Sequence, residues 1–84
     1  MSTTTGALWT YTYLRPGARH TTTLDCFAAN ADAALRSAQR FIARENRRLR
    51  AAGFKKLIRR PTALQMINET AAAEARAAAQ AGSR

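Results

Sequence analysis

The sequence predicts an α+β fold: an N-terminal β-hairpin packed on a long central helix, then a basic linker and a C-terminal helix. Three observations predict it. The aromatic and β-branched run ALWTYTYL is followed, across Arg15-Pro16-Gly17-Ala18, by a second strand-like run. Residues 30–53 then carry apolar side chains at helical spacing between two capping residues. Beyond Pro61, apolar residues return to helical spacing as far as Gln80. At 84 residues the chain makes one domain, with room for a modest core.

The hairpin comes first. Ala7 to Leu14 and Arg19 to Phe27 read as antiparallel strands. Pro16 and Gly17 suit positions i+1 and i+2 of a type II turn. A four-residue turn sets Trp9 against Leu24, Tyr11 against Thr22 and Tyr13 against His20. Alternation then places Trp9, Tyr11, Tyr13, His20, Thr22, Leu24 and Cys26 on one face, toward the helix. Aromatic residues alternating on a strand read first as core. Near basic residues they have a second reading, as platforms on which unpaired bases stack.

The central helix is the best-defined element. Asn30 is a good N-cap and Gly53 a good C-cap, about 22 residues apart, or about 33 Å at about 1.5 Å per residue. Ala31, Leu35, Ala38, Ile42 and Leu49 form its apolar stripe, flanked by Ala34, Phe41 and Ala52, with Glu45 at the edge. Leu35, Ile42, Trp9 and Leu24 are expected to be buried together. Asp32 and Arg36 are spaced as a favourable i,i+4 ion pair. Arg36, Arg40, Arg44 and Arg47 lie opposite the stripe, with Arg48 and Arg50 beside them.

The last third is less determined. Phe54 to Arg60, FKKLIRR, can be read as a third strand, a basic loop or a short helix. Thr62 and Gln65 have capping-box spacing. They open a second helix from Ala63 to about Gln80, with Leu64, Ile67, Ala71, Ala75 and Ala78 as its stripe. A competing reading makes 62–67 a strand and the alanine run a separate helix. Residues 1–6 and 81–84 are expected to be disordered.

Charge supplies the functional argument. The chain has 14 basic and 5 acidic residues, for a net charge of +9. Ten of the basic residues lie between Arg36 and Arg60. Such focusing favours an acidic macromolecular partner. The residues assigned to it are Arg36, Arg40, Arg44, Arg47, Arg48, Arg50, Lys55, Lys56, Arg59 and Arg60. The competing reading of this face is a solvated helix surface. Two features oppose that: one acid, Glu45, stands against six arginines, and Arg36, Arg40 and Arg44 repel one another at i,i+4. Twelve of the 14 basic residues are Arg, whose planar forks suit phosphate and carboxylate. Twenty alanines accompany them, so a GC-rich genome accounts for much of that preference.

Nothing in the sequence points to catalysis. Cys26 and His20 lie six residues apart on one strand, about 20 Å at about 3.3 Å per residue, too far to form a dyad. One His and one Cys do not make a metal site, so no metal or cofactor is expected. The four glycines are isolated, which excludes a glycine-rich phosphate loop. A single cysteine fits a reducing compartment. Without a signal-like opening or a long apolar run, the expectation is a cytoplasmic protein with no membrane contact.

Residues 22–27, TTLDCF, running into residues 31–38, ADAALRSA, carry a resemblance. A strand ending in an aromatic, then an alanine-rich helix packed back on a hairpin, is similar to small phage-encoded anti-CRISPR proteins, over residues 7–52. The resemblance implies an inhibitor in a host bacterial cell that blocks a CRISPR-Cas effector complex by binding it, without catalysis. Many such inhibitors are acidic mimics of nucleic acid; a basic one would contact nucleic acid in the complex or an acidic protein surface. The same element order also resembles the arm-site DNA-binding domain of phage integrases, which has three strands. The alternative function is thus a small DNA- or RNA-binding accessory protein using the same arginine face. A homodimer, formed through the hairpin edge or the alanine helix, is a third reading.

Overall fold

The structure, a computed structural model, describes residues 6–82. It contains a three-stranded antiparallel sheet and two helices, the α+β class expected. The expected disorder at 1–5 and 83–84 falls outside the described residues. Three of the end residues are described. Gly6 lies so close to Phe27 that an added Cβ would sit 2.5 Å from its ring. Ala81 and Gly82 belong to the last helix.

Strand β1 spans Ala7–Tyr13 and β2 spans Thr22–Ala28. The turn forms as its residues dictate: Ala18 N–H donates to the Arg15 carbonyl at 3.0 Å, and Gly17 has φ +80°. The ladder, however, pairs Tyr11 with Leu24 and Trp9 with Cys26. The expected register is therefore off by two, because Arg19 and His20 bend away before β2 begins. A shift of two preserves side-chain parity, so the assigned faces survive. Tyr11, Tyr13 and Cys26 are buried, while Thr22 and His20 are exposed.

Helix α1 runs Ala31–Ala51. Asn30 Oδ1 accepts from the Ala33 N–H at 2.8 Å. At the other end Phe54 N–H reaches the Leu49 carbonyl at 2.9 Å and Gly53 takes φ +91°. Gly53 thus ends the helix in the left-handed conformation that glycine adopts without strain. Ala34, Ala38, Ile42 and Leu49 are buried in the core with Tyr11, Tyr13, Cys26, Ile58 and Met66. Leu35, Trp9 and Leu24 are only partly covered, and Ala31 and Ala52 are exposed, so the stripe is centred closer to Ala38 and Ile42 than predicted. The Asp32–Arg36 ion pair does not close. Among the described residues both ion pairs belong to Glu45, with Arg15 at 3.0 Å and Arg48 at 3.5 Å.

Residues 54–61 form neither strand nor helix. They make an extended strap along α1, whose Ile58 and Pro61 are buried. The Thr62–Gln65 spacing is used, with Gln65 Oε1 accepting from Thr62 N–H at 3.0 Å, but it caps only a 3₁₀ turn, Ala63–Gln65. A third strand does exist, as β3 at Ile67–Asn68 beside β1, giving the order β2-β1-β3. The second helix, α2, begins at Glu69 and ends at Gly82. Asn68 caps it by accepting from the Ala71 N–H at 2.9 Å. The predicted helix from Ala63 was therefore too long, and the competing reading of a strand before a separate alanine helix was closer.

The stripe assigned to that helix is not buried. Leu64 is 97% exposed, and no residue of α2 is buried. Only the first turn meets the sheet: Thr70 Oγ1 accepts from Leu8 N–H at 2.9 Å, and Thr10 Oγ1 donates to Glu69 at 3.2 Å. Alanines present too little apolar surface to draw the rest inward. The radius of gyration is 15.9 Å, against about 12 Å for a compact chain of this length. No helix among the described residues is long and apolar enough to cross a membrane.

Ile42 is 1% exposed at the centre of the core. Ile42→Ala should therefore cost about 2–5 kcal/mol of stability, as large-to-small core changes do. Ala75→Ser, on the exposed part of α2, should leave denaturant unfolding nearly unchanged. Equal stability of wild type and Ile42→Ala would contradict this packing.

Candidate polyanion-binding groove

The strap runs antiparallel to α1 because two amide side chains fasten it. Asn46 makes a two-way pair with the backbone of Ile58: its Oδ1 accepts from the Ile58 N–H at 2.7 Å, and its Nδ2 donates to the Ile58 carbonyl at 3.0 Å. About two turns earlier on α1, Gln39 Nε2 donates to the Pro61 carbonyl at 3.2 Å. From the sheet, the Tyr11 hydroxyl donates to the Arg59 carbonyl at 2.6 Å. Burial raises the Tyr11 pKa, partly offset by the positive charge of Arg59, so the hydroxyl keeps the proton it donates. These contacts satisfy backbone groups of a segment that has no ladder of its own.

Between strap and helix lies a groove of about 520 Å³, lined by Arg36, Gln39, Arg40, Ile42, Ala43, Asn46, Arg47, Arg50 and Arg60. Its size falls within the range of ligand-binding clefts. Four of its arginines come from one side of α1 and the fifth from the strap. Ala43 sits midway between Arg40 and Arg47, and its small side chain leaves the hollow open. No carboxylate lines it.

The structure divides the ten predicted site residues. Arg36, Arg40, Arg47, Arg50 and Arg60 converge on the groove. Arg44 is exposed one position around the helix, outside it. Arg48 leans on Glu45, which also holds Arg15 beside the hairpin turn. Lys55, Lys56 and Arg59 are exposed on the strap but do not line the groove. Asn46, Gln39 and Ala43 were missed by sequence reasoning. The available signal was uncharged side chains interrupting an arginine-rich face.

The aromatic residues do not join this site. Tyr11 and Tyr13 stack on each other in the core with centroids 5.8 Å apart. Cys26 is buried in β2, where burial raises its pKa, a Ser37 hydrogen bond opposes the shift, and Asp25 adds to it. A protonated, buried thiol is a poor nucleophile. His20 lies in the exposed bend beyond the ladder. Among the described residues no group of three or more His, Cys, Asp or Glu is placed to hold a metal ion.

Asn46→Ala would leave both backbone groups of Ile58 without their partner. It should cost about 1–3 kcal/mol and expose the Ile58 amide to rapid hydrogen exchange, with α1 amides still protected. Unchanged protection at Ile58 would show that the strap is held by other means. No family model, curated protein or solved structure matches this chain.

Proposed function

We propose that this chain is a non-catalytic nucleic-acid-binding protein that acts by occupancy through the arginine groove. One observation carries the reading. Five arginines from two separate elements line one hollow without a carboxylate in its walls. Bringing like charges together opposes folding. A bound polyanion reverses that term, and guanidinium forks match phosphate oxygens. Arg44, Lys55, Lys56 and Arg59 extend the positive field around the groove and would steer an anionic partner toward it.

Inhibition of a CRISPR-Cas effector complex is the narrower form of the same proposal. The polyanion would then be nucleic acid held by that complex, and the support for this step is the hairpin–helix resemblance over residues 7–52. Pull-down from bacterial lysate with and without nuclease separates the two forms. Capture of an effector complex only while its nucleic acid is intact supports the narrower one.

The groove should matter more than net charge. Arg40→Glu and Arg47→Glu should each weaken nucleic-acid binding about tenfold or more and lower the salt dependence by about one counterion. Arg44→Glu should have a smaller effect, and Arg76→Glu on α2 almost none. Fluorescence anisotropy across a salt series measures all four. Equal losses from Arg40→Glu and Arg76→Glu would reduce the groove to bulk charge.

A further inference from the structure

We infer that the groove takes the sugar-phosphate backbone of a double helix, without regard to base sequence, in preference to a single strand. This rests on the nucleic-acid reading above and specifies which form of nucleic acid the site fits.

The lining argues for phosphate over base edges. Its charged groups are all donors. Its amides are engaged with the strap: both ends of Asn46 are held by Ile58, and Gln39 donates to Pro61. Reading adenine or cytosine in a major groove needs acceptors or paired donor–acceptor edges, so of the base edges only guanine O6 and N7 suit this lining, and reaching them requires entering the groove. Phosphate oxygens need only donors.

Width argues the same way. An α-helix with its side chains is about 10–12 Å across, and the major groove of B-DNA is about 12 Å wide. Here α1 carries the strap along its flank, pinned at Gln39 and Asn46. The pair is wider than the groove it would have to enter. Arginines beside the strap therefore meet the phosphates at the rim before they reach the floor.

The aromatic residues argue against a single strand. Proteins that hold unpaired strands gain much of their affinity from bases stacked on aromatic side chains. No aromatic side chain lines this groove. Tyr11 and Tyr13 are buried, and Tyr11 is tied to the strap by its hydroxyl. Phe54, half exposed at the end of α1, closes the helix cap with its backbone N–H and stands outside the lining.

The test uses the full chain and five labelled probes: two 20-base-pair duplexes of unrelated sequence, one single strand from each, and polyglutamate. Anisotropy is read from low to moderate salt. The two duplexes should bind within about threefold of each other, since a base-reading contact would separate them by tenfold or more. Each single strand should bind at least about fivefold more weakly, for want of stacking partners. The duplex salt slope should be about −4.5, the value for five phosphate contacts. Ala43→Leu, which fills the hollow, should weaken duplex binding at least about tenfold while helical circular dichroism stays unchanged, leucine being a good helix former. Single strands binding as tightly as duplexes would overturn the duplex inference and leave the nucleic-acid reading standing. So would a tenfold preference for one duplex, whereas full binding by a folded Ala43→Leu would take the groove out of both readings. Polyglutamate matching the duplexes, or no binding by any nucleic acid, would overturn both.

Discussion

The side-chain amide of Asn46 does for the strap what a neighbouring strand would do. It gives the Ile58 backbone both a donor and an acceptor. Much of the remaining structure depends on that pair. It fixes Ile58 in the core, and Pro61 is buried three residues later. It aims the chain at the open side of β1, where β3 completes the sheet. It also sets the strap at a distance from α1 that leaves a groove. The contacts that hold the strap are neutral, as they need to be. A strap carrying Lys55, Lys56, Arg59 and Arg60 against a helix carrying six arginines is repelled, so hydrogen bonds and apolar burial must outweigh the charge.

The electrostatics divide the molecule. Glu45 is the one acid in the basic region, and it is already engaged by Arg15 and Arg48, which ties the hairpin turn to α1. The groove arginines have no acid of their own in the lining. No carboxylate of the lining offsets their positive charge, so an anion bound there, as proposed, would. On the proposed reading, the crowded like charge of the groove is what a bound polyanion would offset. Helix α2 stands apart from this. It has two acids and one arginine, is anchored by its first turn, and buries nothing along its length.

The sequence disclosed what local chemistry decides and withheld what long-range contacts decide. Asn30 and Gly53 bounded α1 because a cap is a property of a few adjacent residues. The turn at Pro16-Gly17 was legible for the same reason. The register was not, because turn chemistry does not say where the return strand begins, and Arg19 and His20 are used as a bend. Thr62 and Gln65 showed their spacing truthfully, yet that spacing serves one 3₁₀ turn as well as it serves a helix. The strap was unreadable because its order comes from Asn46, Gln39 and Tyr11, which lie 12 to 48 residues away. Sequence could name the ten basic residues. The position around α1, the Glu45 pair and the path of the strap separate the five that line the groove from the five that do not.

The central claim is that five particular arginines, and not the chain's overall charge, engage a polyanion. Titrating a short DNA duplex into labelled protein, while following the Nε–Hε signals of every arginine by NMR, tests this most directly. The account predicts saturable shifts at Arg36, Arg40, Arg47, Arg50 and Arg60, with Arg15, Arg19 and Arg76 nearly still. Uniform movement of all arginines, or the largest shifts at Arg19 and Arg76, would contradict it.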